Sequence, residues 1–223
     1  MVIGNRGWLA TLGMAVMAWV PVVANATPID LAATIEFQDL GTPSSPLPDL
    51  FQITNNSDAG VSISSITIDL SGAPNAPVFD TLDGCTPAYC YGAGLGAPVT
   101  ALPGDDVGFL ALTPGEQAAL EETQVLTLFF TGFDAGESFL FSTDLDDLVD
   151  FFLSGVEMQG ALASVTFAGD GFVDVTASAN FVNAFPPIGN AVATVVAEVP
   201  EPGTLFLAGI GLLGLGSVGR RRH

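Results

Sequence analysis

The chain has 223 residues, enough for one domain with a sizeable core, and a formal net charge of −20 from 24 acidic and 4 basic side chains. The cations Arg6, Arg220, Arg221 and Arg222 all lie near the ends, so the stretch from Thr27 to Val199 holds 23 acids and no Lys, Arg or His. Such a body cannot displace phosphate counterions, which excludes nucleic-acid binding.

Residues 1–26 read as a secretory signal. One cation, Arg6, precedes an apolar stretch from Trp8 to Val23, and Ala24-Asn25-Ala26 supplies a small-x-small cleavage site. The alternative is a retained membrane anchor. The break at Pro21 and the terminal Ala-x-Ala favour cleavage after Ala26, which leaves Thr27 as the mature N-terminus.

The body, residues 27–196, reads as one all-β domain. Leu31, Ala33, Ile35 and Phe37 alternate with Ala32, Thr34 and Glu36, the period of a half-buried strand, and "FQIT" continues the pattern. "GVSISSITIDLSG" alternates twice, with Val61 and Ile63 in one phase and Ile66, Ile68 and Leu70 in the other. The slip at Ser64-Ser65 predicts a bulge or a corner. Further strands are expected at Val107–Leu112, Gln124–Thr131, Glu137–Thr143, Ala161–Ala168, Phe172–Val182 and Ala191–Glu198. Clusters of Gly, Pro, Asp and Asn separate them. Thr113-Pro114 opens a short helix around Glu116–Glu122, and a turn is expected around Leu145–Phe152. The expected architecture is a β-sandwich of about 8–10 short antiparallel strands.

Of 16 phenylalanines, 15 lie in the body, where alternation points them into a core. Trp8 and Trp19 leave with the leader, and Tyr89 and Tyr91 are the only tyrosines. That composition disfavours an aromatic platform for sugar rings and leaves recognition by carboxylates open. Cys85 and Cys90 are the only cysteines. In an exported chain such a pair reads as a disulfide; two thiols with no histidine nearby fall short of a metal site. So small a loop predicts about 2 kcal/mol of stabilisation or less.

The acids gather in two places. "STDLDDLVD" brings Asp144, Asp146, Asp147 and Asp150 together, and "FDTLDG" offers Asp80 and Asp83. Calcium takes six to eight oxygens, so Asp144, Asp146, Asp147 and Asp150 are candidate calcium ligands. The run is not an EF-hand loop, because the glycine and the glutamate of that motif are missing. A solvated acidic face without an ion is the other reading. Catalysis finds little support. A nucleophilic triad needs a base such as His or Lys, and the body has neither.

The end of the chain is the most specific part. Val199-Pro200-Glu201-Pro202 precedes a short apolar run, Gly203 to Gly219, and then Arg220, Arg221 and Arg222. As a helix, Thr204–Val218 would span about 22 Å, against roughly 30 Å for a bilayer core. The arginines would stay on the cytoplasmic side and the body would face outward. Motif, short span and basic cluster, in that order over residues 199–223, resemble the PEP-CTERM sorting signal of Gram-negative bacteria that make exopolysaccharide. The resemblance implies processing near the motif by the membrane enzyme exosortase. It also implies a transient C-terminal transmembrane helix in the inner membrane and delivery to the outer envelope, cell surface or matrix. An ordinary tail anchor is the alternative. "GVSISSITIDLSG", "LTLFFTGFDAGESFLFSTDLDD" and "GVEMQGALASVTFAGDG" also resemble a β-rich ectodomain that recurs in proteins with this signal. The expected function is a structural or interaction role in the envelope or exopolysaccharide matrix of a biofilm, without enzymatic activity. A calcium-dependent adhesin is the alternative, and a polysaccharide hydrolase using two carboxylates is a third reading.

Overall fold

The computed structural model describes residues 28–38, 49–82, 96–146, 155–170, 172–184 and 190–199. The leader (1–26), Asp83, Cys85, Tyr89, Cys90, Tyr91, Asp147, Asp150 and everything from Pro200 through Arg220, Arg221 and Arg222 to the end lie outside the described residues.

The described chain is a two-sheet antiparallel sandwich with eleven strands, slightly more than the sequence predicts. In order they are β1 (Ile29–Gln38), β2 (Asp49–Asn55), β3 (Val61–Asp69), β4 (Val78–Asp80), β5 (Thr100–Ala101), β6 (Val125–Asp134), β7 (Ser138–Asp146), β8 (Leu162–Gly169), β9 (Val175–Asn180), β10 (Val182–Asn183) and β11 (Asn190–Val199). One helix, α1 (Pro114–Leu120), lies between β5 and β6. The larger sheet runs β10-β11-β1-β2-β7-β4, with β5 also on β7; the smaller runs β6-β3-β8-β9.

Alternation puts the core between the sheets. Leu31, Ile35, Phe37, Phe51, Ile53, Phe139 and Phe141 from one sheet meet Ile63, Ile66, Ile68, Leu126, Leu128, Val165 and Phe167 from the other, all buried. Phe51 stacks on Phe141 at 4.8 Å and tilts against Phe37 at 5.2 Å. Phenylalanine is not uniformly interior, since Phe129 is half exposed on β6. The outward positions of the smaller sheet hold hydroxyls in cross-strand register: Thr67 meets Thr127 at 3.0 Å, Ser164 meets Ser178 at 2.7 Å and Thr166 meets Thr176 at 3.0 Å. Such pairs fix register without charge.

The parity slip at Ser64 is a bulge: both neighbours of β3 shift register between Ile63 and Ser65. The expected strand at Val107–Leu112 does not form. Gly108 has a φ of +62°, which breaks the extended run, and only Phe109 bridges to Phe130. Leu145 and Asp146, expected in a turn, belong to β7, and the rest of that expected turn lies outside the described residues. The helix begins two residues before its expected start, where a capping box joins Thr113 and Glu116.

Asn55 joins the two layers at zero exposure. Its Nδ2 donates to the carbonyls of Val61 (3.3 Å) and Phe133 (3.0 Å), and its Oδ1 accepts from Ser57 N–H (3.1 Å). Asn55→Ala strands two buried carbonyls and should cost about 2–4 kcal/mol in urea unfolding. Its exposed neighbour Asn56 reaches only the Thr34 hydroxyl through its side chain, and Asn56→Ala should change stability by less than about 0.5 kcal/mol. Equal effects at the two positions would contradict the inter-sheet clamp.

Candidate functional site

The larger sheet has two unlike ends. β1 and β11 pair over their whole length, from Ile29 opposite Val199 to Gln38 opposite Asn190. The point where the mature chain would begin therefore lies beside the point where the folded body ends. At the other end, Gln38 pairs with Leu50, the adjacent Asp49 pairs with Thr143, and β7 runs on through Asp144 to Asp146. Nine residue steps along β1, roughly 30 Å of strand, separate the two ends.

The far end carries a tight acidic cluster. The short strand β4 pairs with the end of β7, so that Asp80 faces Asp144 and Val78 faces Asp146. Carboxylate oxygens of Asp80, Asp144 and Asp146 all lie within 4.8 Å of one another. Like charges opposite each other on a ladder normally weaken it, and here they are held by the surrounding backbone. Phe79 N–H donates to Thr123 O at 2.8 Å, and Glu122 N–H donates to Phe79 O at 2.9 Å, locking the other edge of β4. Ala97 N–H donates to Asp80 O at 3.0 Å, and Asp144 N–H donates to Ala97 O at 3.2 Å. The buried Gln117 of α1 holds Val99 by both its N–H (3.1 Å) and its carbonyl (2.9 Å).

Glu121, just after α1, is the fourth acid at this end. Its Oε2 accepts from Thr81 N–H at 2.8 Å, Leu82 N–H at 3.0 Å and the Thr81 hydroxyl at 3.3 Å. Asp80 is treated differently. Its side chain is 5% exposed, and its Oδ1 is buried with no hydrogen-bond partner among the described residues. Gly96 lies directly over it: a methyl group there would overlap Asp80 Oδ1 and the Leu82 carbonyl oxygen. Glycine is required at that position for close approach, not for its dihedral freedom.

Of the four candidate ligands read from the acidic run, the structure brings Asp144 and Asp146 together and joins Asp80 to them; Asp147 and Asp150 lie outside the described residues. The disulfide expected between Cys85 and Cys90 falls outside them too. Glu121 went unnoticed in the sequence because nothing local to "AALEET" marks it. Only the fold carries it to β4.

Burial, then repulsion from Glu121, Asp146 and Asp144 and a carboxyl hydrogen bond with Glu121, push Asp80 up to about 8 from the ordinary 3.8. Burial, then Asp146 and Glu121, push Asp144 up to about 7 against the opposing Leu145 N–H. The metal-free folded state thus keeps protons that the unfolded chain has released above about pH 4, so stability falls as pH rises toward 8. In chelator, unfolding free energy should drop between about pH 5 and 8, by up to about 1.4 kcal/mol per pH unit for each retained proton. Asp80→Asn should remove the Asp80 share of that slope, about half of it below pH 7 and most of it above. A wild-type profile that is level or rising over this range would show that these carboxyls are ionised at no cost.

Among the described residues no helix is long and apolar enough to cross a membrane. No curated protein and no solved structure matches the chain. One family does: residues 198–222 match the PEP-CTERM protein-sorting motif. The match starts at Glu198, inside β11, and covers the Pro-Glu-Pro motif, the apolar run and the arginines. The chain carries a PEP-CTERM sorting motif attached directly to an all-β body, and this marks it as an exported protein addressed to exosortase.

Proposed function

We propose that this protein is a non-catalytic component of the cell surface or extracellular matrix, with a structural or interaction role toward exopolysaccharide in a biofilm. The observation that carries the reading is the sorting motif together with the pairing of Ile29 and Val199. Both membrane-directed ends of the chain leave the same edge of the sandwich. A body held by its C-terminus then offers the opposite end, with its Asp80, Asp144 and Asp146 cluster, to the exterior. The body also lacks His, Lys and Arg, so the usual base of a nucleophilic triad and a cationic clamp for anionic substrates are missing, and acid–base chemistry would fall to carboxylates alone. A polyanion of this kind meets an anionic polymer most readily through shared divalent cations. The outer face of β3, β6, β8 and β9 adds rows of uncharged hydroxyls suited to hydrogen bonding with hydrated polymer.

The test is fractionation with intact-mass measurement, comparing the full chain with one ending at Val199. The full chain should lose its leader and the residues beyond the motif, and should appear in the outer envelope or with the matrix polymer. The shortened chain should lose the leader only and should not reach the polymer fraction. Identical distributions would remove exosortase sorting from the account. Full-length protein with its leader in the cytosol would remove export itself. A calcium-dependent adhesin would instead show chelator-sensitive binding to a defined glycan or matrix protein on an array.

A further inference from the structure

We propose that Asp80, Asp144 and Asp146 form a calcium site that ties the edge strand β4 to the end of β7. The site differs from the one expected from the acidic run: it takes Asp80 from 64 residues earlier in the chain and is organised by strand pairing, not by a loop.

Three observations converge on it. The first is geometric. Two oxygens bound to one calcium lie at most about 5 Å apart, given Ca–O distances of about 2.3–2.6 Å. The three carboxylates satisfy this, with ligand atoms all within 4.8 Å of one another. The second is the isolated oxygen. Asp80 Oδ1 is buried at a residue exposure of 5% and has no hydrogen-bond partner among the described residues. An acceptor withdrawn from water without a donor is costly, and a cation answers it where no N–H does. The third is the oxygen beside it. Gly96 lacks the carbon that would overlap Asp80 Oδ1 and the Leu82 carbonyl oxygen, so a second hard oxygen stands next to the carboxylate. Carboxylates and a backbone carbonyl are the ligand set that calcium prefers, with water completing six to eight positions.

The surroundings favour a divalent cation over an ion pair. Between Thr27 and Val199 no Lys, Arg or His exists that could neutralise the cluster. Glu121 adds a fourth negative charge and spends its Oε2 on the Thr81 and Leu82 N–H groups, which holds the segment after Asp80 against α1. The alternative occupant is a proton shared between Asp80 and Glu121, and calcium competes with it directly.

The experiment is thermal unfolding and isothermal titration calorimetry of the full chain in detergent, stripped with chelator and then titrated with CaCl2, MgCl2 or NaCl at matched ionic strength. One calcium per chain should bind. At a concentration about a hundredfold above its Kd the unfolding midpoint should rise by about 5–10 °C, with a smaller rise in magnesium. Asp80→Asn keeps the shape of the side chain and removes a ligand charge, so it should fold and lose most of the calcium shift. Asp144→Asn should do the same, whereas Asp174→Asn, an exposed acid just before β9, should keep the full shift. Equal midpoints in calcium and matched NaCl would overturn the site and leave the shared proton in its place. A full calcium shift retained in Asp80→Asn would also overturn it.

Discussion

The constraint beneath this structure is that its folded body contains no cation. Between Thr27 and Val199, 23 carboxylates must find partners that are not Lys, Arg or His. Several of them use backbone N–H groups. Asp58 accepts from Asp30 N–H at 2.9 Å, Asp69 from Ser71 at 2.9 Å, Asp105 from Ser138 at 2.8 Å and Glu137 from Asp134 at 2.7 Å. Glu116 closes the capping box of α1, and the N–H and hydroxyl of Thr113 hold its carboxyl below the usual range. Asp69, Glu137 and Glu116 close a local turn or cap, Asp58 and Asp105 tie together segments distant in sequence, and all of these contacts are exposed. The strands keep their register by other means, through phenylalanine packing inside and hydroxyl pairs outside. Against this pattern Asp80 stands out because burial and acidic neighbours surround it and its Oδ1 meets no N–H among the described residues.

The same constraint shapes the sheet's ends. A sandwich whose first and last long strands are neighbours brings the chain termini together, and the complete pairing of β1 with β11 makes that contact ten residues deep. Ile29 stands three residues after the expected leader cleavage, and Val199 immediately precedes Pro200. The acidic cluster sits where β7 outruns β2 and finds β4 on its other side. Acids lie at the opposite end too, where Asp30 pairs with Glu198 and Asp58 accepts from Asp30 N–H. Among the described residues, only the far end gathers three carboxylates within 4.8 Å of one another.

Much of the sandwich was legible because its long strands alternate strictly. β1, β2, β7 and β8 follow the parity of their apolar residues, and the bulge in β3 shows as a slip in phase. The segment Val107–Leu112 alternates as well, yet Gly108 turns it out of line, and Leu110 ends 52% exposed. β4 was invisible for a different reason. Three residues in a stretch rich in Pro, Asn and Gly carry no period, and all three are buried, so neither face is marked. The candidate site depends on that strand. Asp144 and Asp146 could be read from their acidic run, but their meeting with Asp80 follows from a pairing across 64 residues, and Glu121 arrives by a helix that packs against the same strand. Local pattern reports what a residue is; long-range register decides whom it faces.

The boundary between body and signal follows from the chemistry of proline. β11 can pair with β1 as far as Val199 because every residue through it owns an N–H. Pro200 has none, and it disfavours helix at the residue before it, so a ladder that ends at Val199 ends where proline requires. Pro202 extends the same restriction across Glu201. The sorting match nevertheless begins at Glu198, two residues inside the strand. Recognition and fold therefore share Glu198 and Val199, and no flexible linker stands between them. An enzyme that cuts near the Pro-Glu-Pro motif must approach the base of a completed sheet, or act while the last residues of β11 are lifted from Ile29 and Asp30. The second route costs only the final ladder bonds, because Val199 and Glu198 pair on one side alone, with β1, while the other edge of β11 meets β10 at Ala191 and Val192.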